Sequence, residues 1–181
     1  LQRLEVGGWF SPEYTGEPIP RLEQVMELCK GKINLNIEVK NVGKDSRLPE
    51  MVAEMIREWG MEDQCVVSST SLSYLERMKS LAPELRTGYI LSAAYGDLYF
   101  NEIVDFISIR ASFVDRQVVE RAHERGMGVH VWTVNSKSEM ERLRMLGADN
   151  LITDYPVLAR EIIYREEATE TLVEYLEMVF R

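Results

Sequence analysis

Between Ile33 and Asp154 the chain alternates between short β-branched or aromatic runs and amphipathic runs with helical spacing. The strand candidates are Ile33 to Lys40, Cys65 to Ser69, Thr87 to Leu91, Phe106 to Ile109, Gly128 to Val134 and Asn150 to Asp154. Between them, Leu48 to Trp59, Ser71 to Leu81, Asp115 to Arg125 and Ser136 to Leu146 read as helices. In the second helix Leu72, Leu75, Met78 and Leu81 keep one face, while Glu76, Arg77 and Lys79 keep the other. Ser71 and Ser136 are placed to cap helix starts, and Gly60, Gly126 and Gly147 to stop helices in a left-handed conformation.

A strand that returns through a helix comes back pointing the same way, so this rhythm predicts an α/β protein with a parallel sheet and helices outside it. No GxGxxG or GxxxxGK[ST] follows any strand, which disfavours a doubly wound nucleotide fold. Polar residues instead collect at the carboxyl ends of strands, where a (β/α)8 TIM-type barrel places its chemistry: Glu38 and Lys40, Ser68 and Ser69, Trp132, Thr133 and Asn135, Thr153 and Asp154. The 181 residues fall short of the roughly 250 of a complete barrel, so the expectation is an incomplete one of about six βα units.

Composition narrows function by exclusion. Hydrophobic residues at 45% and charged residues at 28% suit one globular domain. A net charge of -9 without clustered Lys or Arg disfavours nucleic acid. No apolar run approaches the roughly 20 residues of a transmembrane helix. Cys29 and Cys65 lie in no metal or redox spacing and read as buried small hydrophobes. The chain opens at Leu1 without Met or signal peptide, which leaves the compartment open: a soluble domain, cytoplasmic or attached to a membrane through a preceding region. Residues 1–160 are assigned to the barrel and 161–181 to a Glu-rich helix with Leu172, Leu176 and Val179 on one stripe.

The stretch Ile33-Asn34-Leu35-Asn36-Ile37-Glu38-Val39-Lys40 alternates strictly, so Asn34, Asn36, Glu38 and Lys40 share the lumen face. Charges there are costly unless they are paired or bind something. Glu38 suits a hard cation, and Lys40, nearer the mouth, suits a phosphate. The alternative is a Glu38–Lys40 ion pair on a half-solvated strand. Trp132 either walls a pocket or fills the core; His130 shares its parity one layer deeper, with no partnering nucleophile motif, and His123 reads as a surface residue.

Ile37-Glu38-Val39-Lys40, Val131-Trp132-Thr133-Val134-Asn135 and Gly147-Ala148-Asp149-Asn150-Leu151-Ile152-Thr153-Asp154-Tyr155-Pro156 resemble, in order and spacing, motifs of glycerophosphodiester phosphodiesterases. Gly16 to Val25 is similar to that family's Ile-Pro-Thr-Leu-Glu segment. The resemblance implies a barrel that hydrolyses glycerophosphodiesters to an alcohol and glycerol 3-phosphate, assisted by a divalent cation, Ca²⁺ or Mg²⁺. It places one metal ligand on Glu38, a phosphate contact on Lys40 and a substrate-lining side chain on Trp132.

The family's acid and base histidines, in His-Arg-Gly and His-Asp, and its Glu-x-Asp metal pair have no counterpart in this sequence. Thr70 stands where many members carry an aromatic residue. No catalytic residue is therefore assigned, and the chain alone is expected to be inactive or nearly so. A non-catalytic phosphate-binding or scaffold module is the alternative. Open barrel edges would favour self-association.

Overall fold

The computed structural model describes residues 4–40, 42–43, 46–91 and 102–165. Its strands are β1 (Leu35–Glu38), β2 (Cys65–Ser69), β3 (Arg86–Leu91), β4 (Phe106–Arg110), β5 (Gly128–Trp132) and β6 (Asn150–Leu151). They form one six-stranded sheet in chain order, and every pairing is parallel. The helices are α1 (Leu22–Cys29), α2 (Leu48–Glu58), α3 (Leu72–Leu81), α4 (Arg116–His123) and α5 (Lys137–Met145). The result is a half-barrel of βα units with β1 and β6 at its two ends.

Local chemistry sets the element ends. The Asp115 carboxylate accepts the Val118 N–H at 2.9 Å, and the Ser136 hydroxyl accepts the Glu139 N–H at 3.3 Å. Ser71 departs from expectation. Its hydroxyl meets Ser73 Oγ at 3.0 Å, and its own N–H goes to Ser69 Oγ at 3.1 Å, so the preceding strand end holds the start of α3. Gly60, Gly126 and Gly147 adopt φ of 58°, 69° and 92°, the left-handed stops that the sequence predicts. α1 begins within the segment resembling the family's Ile-Pro-Thr-Leu-Glu, and Gln24 Oε1 accepts the Arg21 N–H at 2.8 Å across its first turn.

Two apolar clusters pack the sheet against its helices. One gathers Met26, Val52, Ile56, Val67, Tyr74 and Met78; the other gathers Ile107, Ile109, Val119, Val129, Val131 and Leu143. Cys65 is buried as expected, and burial pushes its thiol pKa up, with Glu62 adding to the effect. Cys29, expected to be buried, is partly exposed as the last residue of α1 and belongs to neither cluster. Residues 156–165 are helical and place Ala159 and Ile162 in the second cluster. Leu172, Leu176 and Val179 lie outside the described residues.

On the concave side, Phe106 lies flat across Gly88 and stacks on His130 with ring centroids 3.9 Å apart. A Cβ on Gly88 would stand 2.0 Å from Phe106 Cε2. The fully buried ring has no room to yield, since His130 backs it. Gly88→Ala is therefore expected to destabilise the fold by about 1–3 kcal/mol. Gly88→Ala combined with Phe106→Leu should recover part of that loss. Urea denaturation checks both, and an unchanged midpoint for Gly88→Ala would refute this packing.

Candidate active site

The alternation within β1 does what its pattern implies: Leu35, Ile37 and Val39 turn toward the helices, while Asn36, Glu38 and Lys40 stand exposed on the concave face. Parallel register then brings the equivalent positions of the other strands beside them. Together they line a cleft of about 610 Å³ at the carboxyl ends of the strands. Its walls are Asn36, Glu38, Lys40, Ser68, Thr70, Ile90, Ser108, Trp132, Thr133, Asn150 and Ile152.

Glu38, Lys40 and Trp132, singled out from the sequence, thus share one cavity. The two charges pair with each other, as the alternative reading has it. Lys40 Nζ donates to Glu38 Oε1 at 2.5 Å, yet the two side chains are 74% and 39% exposed, at the cleft mouth rather than in a dry interior. An ion pair that open contributes at most about 1 kcal/mol, so either charge can be redirected to a ligand at little cost. Ser68 Oγ donates to Asn36 Oδ1 at 3.1 Å one step below.

Trp132 neither fills the core nor stands free. It is half-buried along the cleft wall, and the Arg110 guanidinium lies over its ring, 5.5 Å from the centroid. Sequence reasoning missed Ser108, which lines the cleft, and Arg110, which reaches it only through the Trp132 wall. Their signal was the alternation Phe106-Ile107-Ser108-Ile109-Arg110, whose polar members share the lumen face.

Asn135, Thr153 and Asp154, expected at the mouth as polar strand ends, form a clasp instead. Asn135 Nδ2 donates to Asp154 Oδ2 at 2.7 Å, while Asn135 Oδ1 accepts from Thr153 Oγ1 at 3.1 Å and the Asp154 N–H at 2.9 Å. This carboxamide ties the loop after β5 to the loop after β6. β6 ends at Leu151, short of Thr153 and Asp154.

Neither histidine lines the cleft. His123 is on the outer side, its Nε2 2.9 Å from Asp149 Oδ2, as a half-exposed surface residue. His130 is 7% exposed beneath the cleft, and its Nδ1 has no hydrogen-bond partner among the described residues. Burial, aided by the charge of Arg86 and opposed by that of Asp149, lowers its pKa to about 4. Among the described residues no group of three His, Cys, Asp or Glu side chains could enclose a metal ion, and no helix is long and apolar enough to cross a membrane.

Comparison with known proteins gives a consistent picture. The glycerophosphoryl diester phosphodiesterase family matches residues 1–158. The chain is 29% identical over 161 residues to a glycerophosphodiester phosphodiesterase of Caldanaerobacter subterraneus, covering 86% of this chain and 66% of that protein. It is 29% identical over 175 residues to one from Bacillus altitudinis, covering 92% and 71%. Among solved structures, a phosphodiesterase of Oleispira antarctica in complex with the product sn-glycerol-3-phosphate superposes with a TM-score of 0.76 at 26% identity, covering 90% of this chain and 68% of that one. The chain thus spans about two thirds of the length of these relatives.

The buried histidine has a measurable signature. Above pH 6.5 it is neutral in both folded and unfolded chains; between 6.5 and about 4 the unfolded chain takes up a proton that the folded one refuses. Stability is expected to fall across that window as pH drops, by on the order of 3 kcal/mol from this residue. Urea melts at pH 7, 5.5 and 4.5 should show the decline, and His130→Gln should flatten it.

Proposed function

The chain belongs to the glycerophosphoryl diester phosphodiesterase family, and from that premise we propose that it supplies the phosphate-binding face of an enzyme that hydrolyses glycerophosphodiesters to an alcohol and glycerol 3-phosphate. The observation that carries the reading is the convergence of Glu38, Lys40 and Trp132 on one cleft at the carboxyl ends of parallel strands. The names of the relatives, and the product bound to the Oleispira phosphodiesterase, support it.

In the reaction, a water oxygen bonds to phosphorus as the bond from phosphorus to the alcohol oxygen breaks. The departing alcohol takes up a proton, and the phosphate stays on the glycerol. Lys40, on a flexible stem at the mouth, offsets the charge of the phosphoryl oxygens. Glu38 offers carboxylate oxygens to a divalent cation, Ca²⁺ or Mg²⁺, both of which prefer hard oxygen donors. The chemistry such a cation would supply there is neutralisation of phosphoryl charge and polarisation of the phosphorus centre. Glu38 would be one ligand of several, since a hard cation takes six or more oxygens. Trp132 gives the substrate an apolar wall.

Proton transfer finds no histidine in this cleft, and each member of an acid and base pair contributes about 10²–10⁴-fold. The isolated chain is therefore expected to bind product and turn over substrate slowly. Calorimetry with glycerol 3-phosphate should show binding that Ca²⁺ or Mg²⁺ strengthens, that Lys40→Ala weakens about tenfold or more, and that loses its cation dependence in Glu38→Gln. Absence of binding would overturn the reading. Rapid release of glycerol 3-phosphate by the isolated chain would overturn its expected slowness, and binding without turnover by the complete natural protein would favour a non-catalytic phosphate-binding module.

Among the described residues β1 and β6 each pair with one strand only, so the isolated chain is also expected to self-associate. Light scattering that finds a concentration-independent monomer would refute this.

A further inference from the structure

We propose that Arg110 is a specificity-determining residue: held over the Trp132 ring, it selects phosphodiesters with a neutral or anionic alcohol substituent against those carrying a quaternary ammonium. This rests on the hydrolase reading above and concerns which diester the site accepts.

Position comes first. Arg110 ends β4 on the face that Ser108 presents to the cleft, and in the ladder it pairs with Trp132. Its neighbours Ile107 and Ile109 are fully buried on the helix side, so the guanidinium belongs to the concave face. Lys40 follows β1, three strands away, or about 14 Å along the sheet at 4.8 Å per step. A phosphate held by Lys40 leaves Arg110 and Trp132 to meet a substituent rather than the phosphorus.

Charge and ring chemistry then set the preference. Arg110 is exposed and has no carboxylate partner among the described residues, whereas Lys40 pairs with Glu38. An aromatic wall in a phosphodiester cleft is otherwise a natural seat for a trimethylammonium group, which binds tryptophan through the electron-rich face of the ring. Here a guanidinium already stands 5.5 Å from that ring, so a second cation at the wall meets like charge. A polyol or an acid meets donors instead, because the guanidinium offers up to five N–H groups.

The test compares kcat/KM of the complete natural protein for glycerophosphoglycerol and glycerophosphocholine, in wild type, Arg110→Gln and Arg110→Lys. Wild type should favour glycerophosphoglycerol. Arg110→Gln should shift the ratio toward the choline diester by about tenfold, and Arg110→Lys should keep most of the discrimination. An unchanged ratio in Arg110→Gln, or an equal loss on both substrates, overturns the proposal.

If wild type hydrolyses neither diester, the hydrolase reading fails separately, and calorimetry with phosphocholine and glycerol 3-phosphate decides the role of Arg110. Phosphocholine binding that tightens in Arg110→Gln relative to glycerol 3-phosphate supports the selection. Equal relative affinities in the two proteins refute it.

Discussion

Everything in this half-barrel depends on the register between neighbouring parallel strands. Slipping one strand by a single residue would turn its whole polar set from the cleft into the helices. The register is pinned at the amino ends by the residue that precedes a strand. Asp105, just before β4, accepts the Thr87 N–H at 2.7 Å and meets Lys79 at 2.9 Å. Asp149, just before β6, does the same for the Val129 N–H at 2.7 Å, with His123 in the place of the lysine. Gln64, before β2, accepts the Leu35 N–H with its carbonyl and the Gly31 N–H with its side chain. Each holds the start of the preceding strand, so polar atoms at one end of the sheet decide which side chains meet at the other.

Much of this was legible in the sequence. Strict alternation in Ile33 to Lys40 placed Glu38 and Lys40 on the lumen face, because side-chain parity is a property of a strand alone. Helix ends marked by Ser and Gly were readable for the same reason, except that Ser71 gave up its cap to a contact across elements, while the Asp115 cap of α4 emerged only in the structure. What escaped depends on pairs distant in the chain. The parity of Arg110 with Ser108 is local, but its contact with Trp132, its ladder partner 22 positions on, is not. Asn135 and Asp154 looked like mouth residues, since nothing local shows that two loops clasp each other.

The concave face is layered by chemistry. Its floor is Phe106 against Gly88 and His130, buried and tightly fitted. Its mouth is the exposed Lys40–Glu38 pair and, over the Trp132 wall, the exposed Arg110. The floor therefore contributes to the stability of the fold, while the mouth contributes little to it.

That division bears on how such a chain can change over generations. Substitutions in the floor are selected against because they cost stability before they alter any reaction. Substitutions at the mouth escape that filter and are sorted by substrate alone. If position 110 sets the substituent preference proposed above, a lineage built on this scaffold can drift from one alcohol substituent to another through single changes there, while the Phe106 and His130 rings keep the sheet beneath it unaltered.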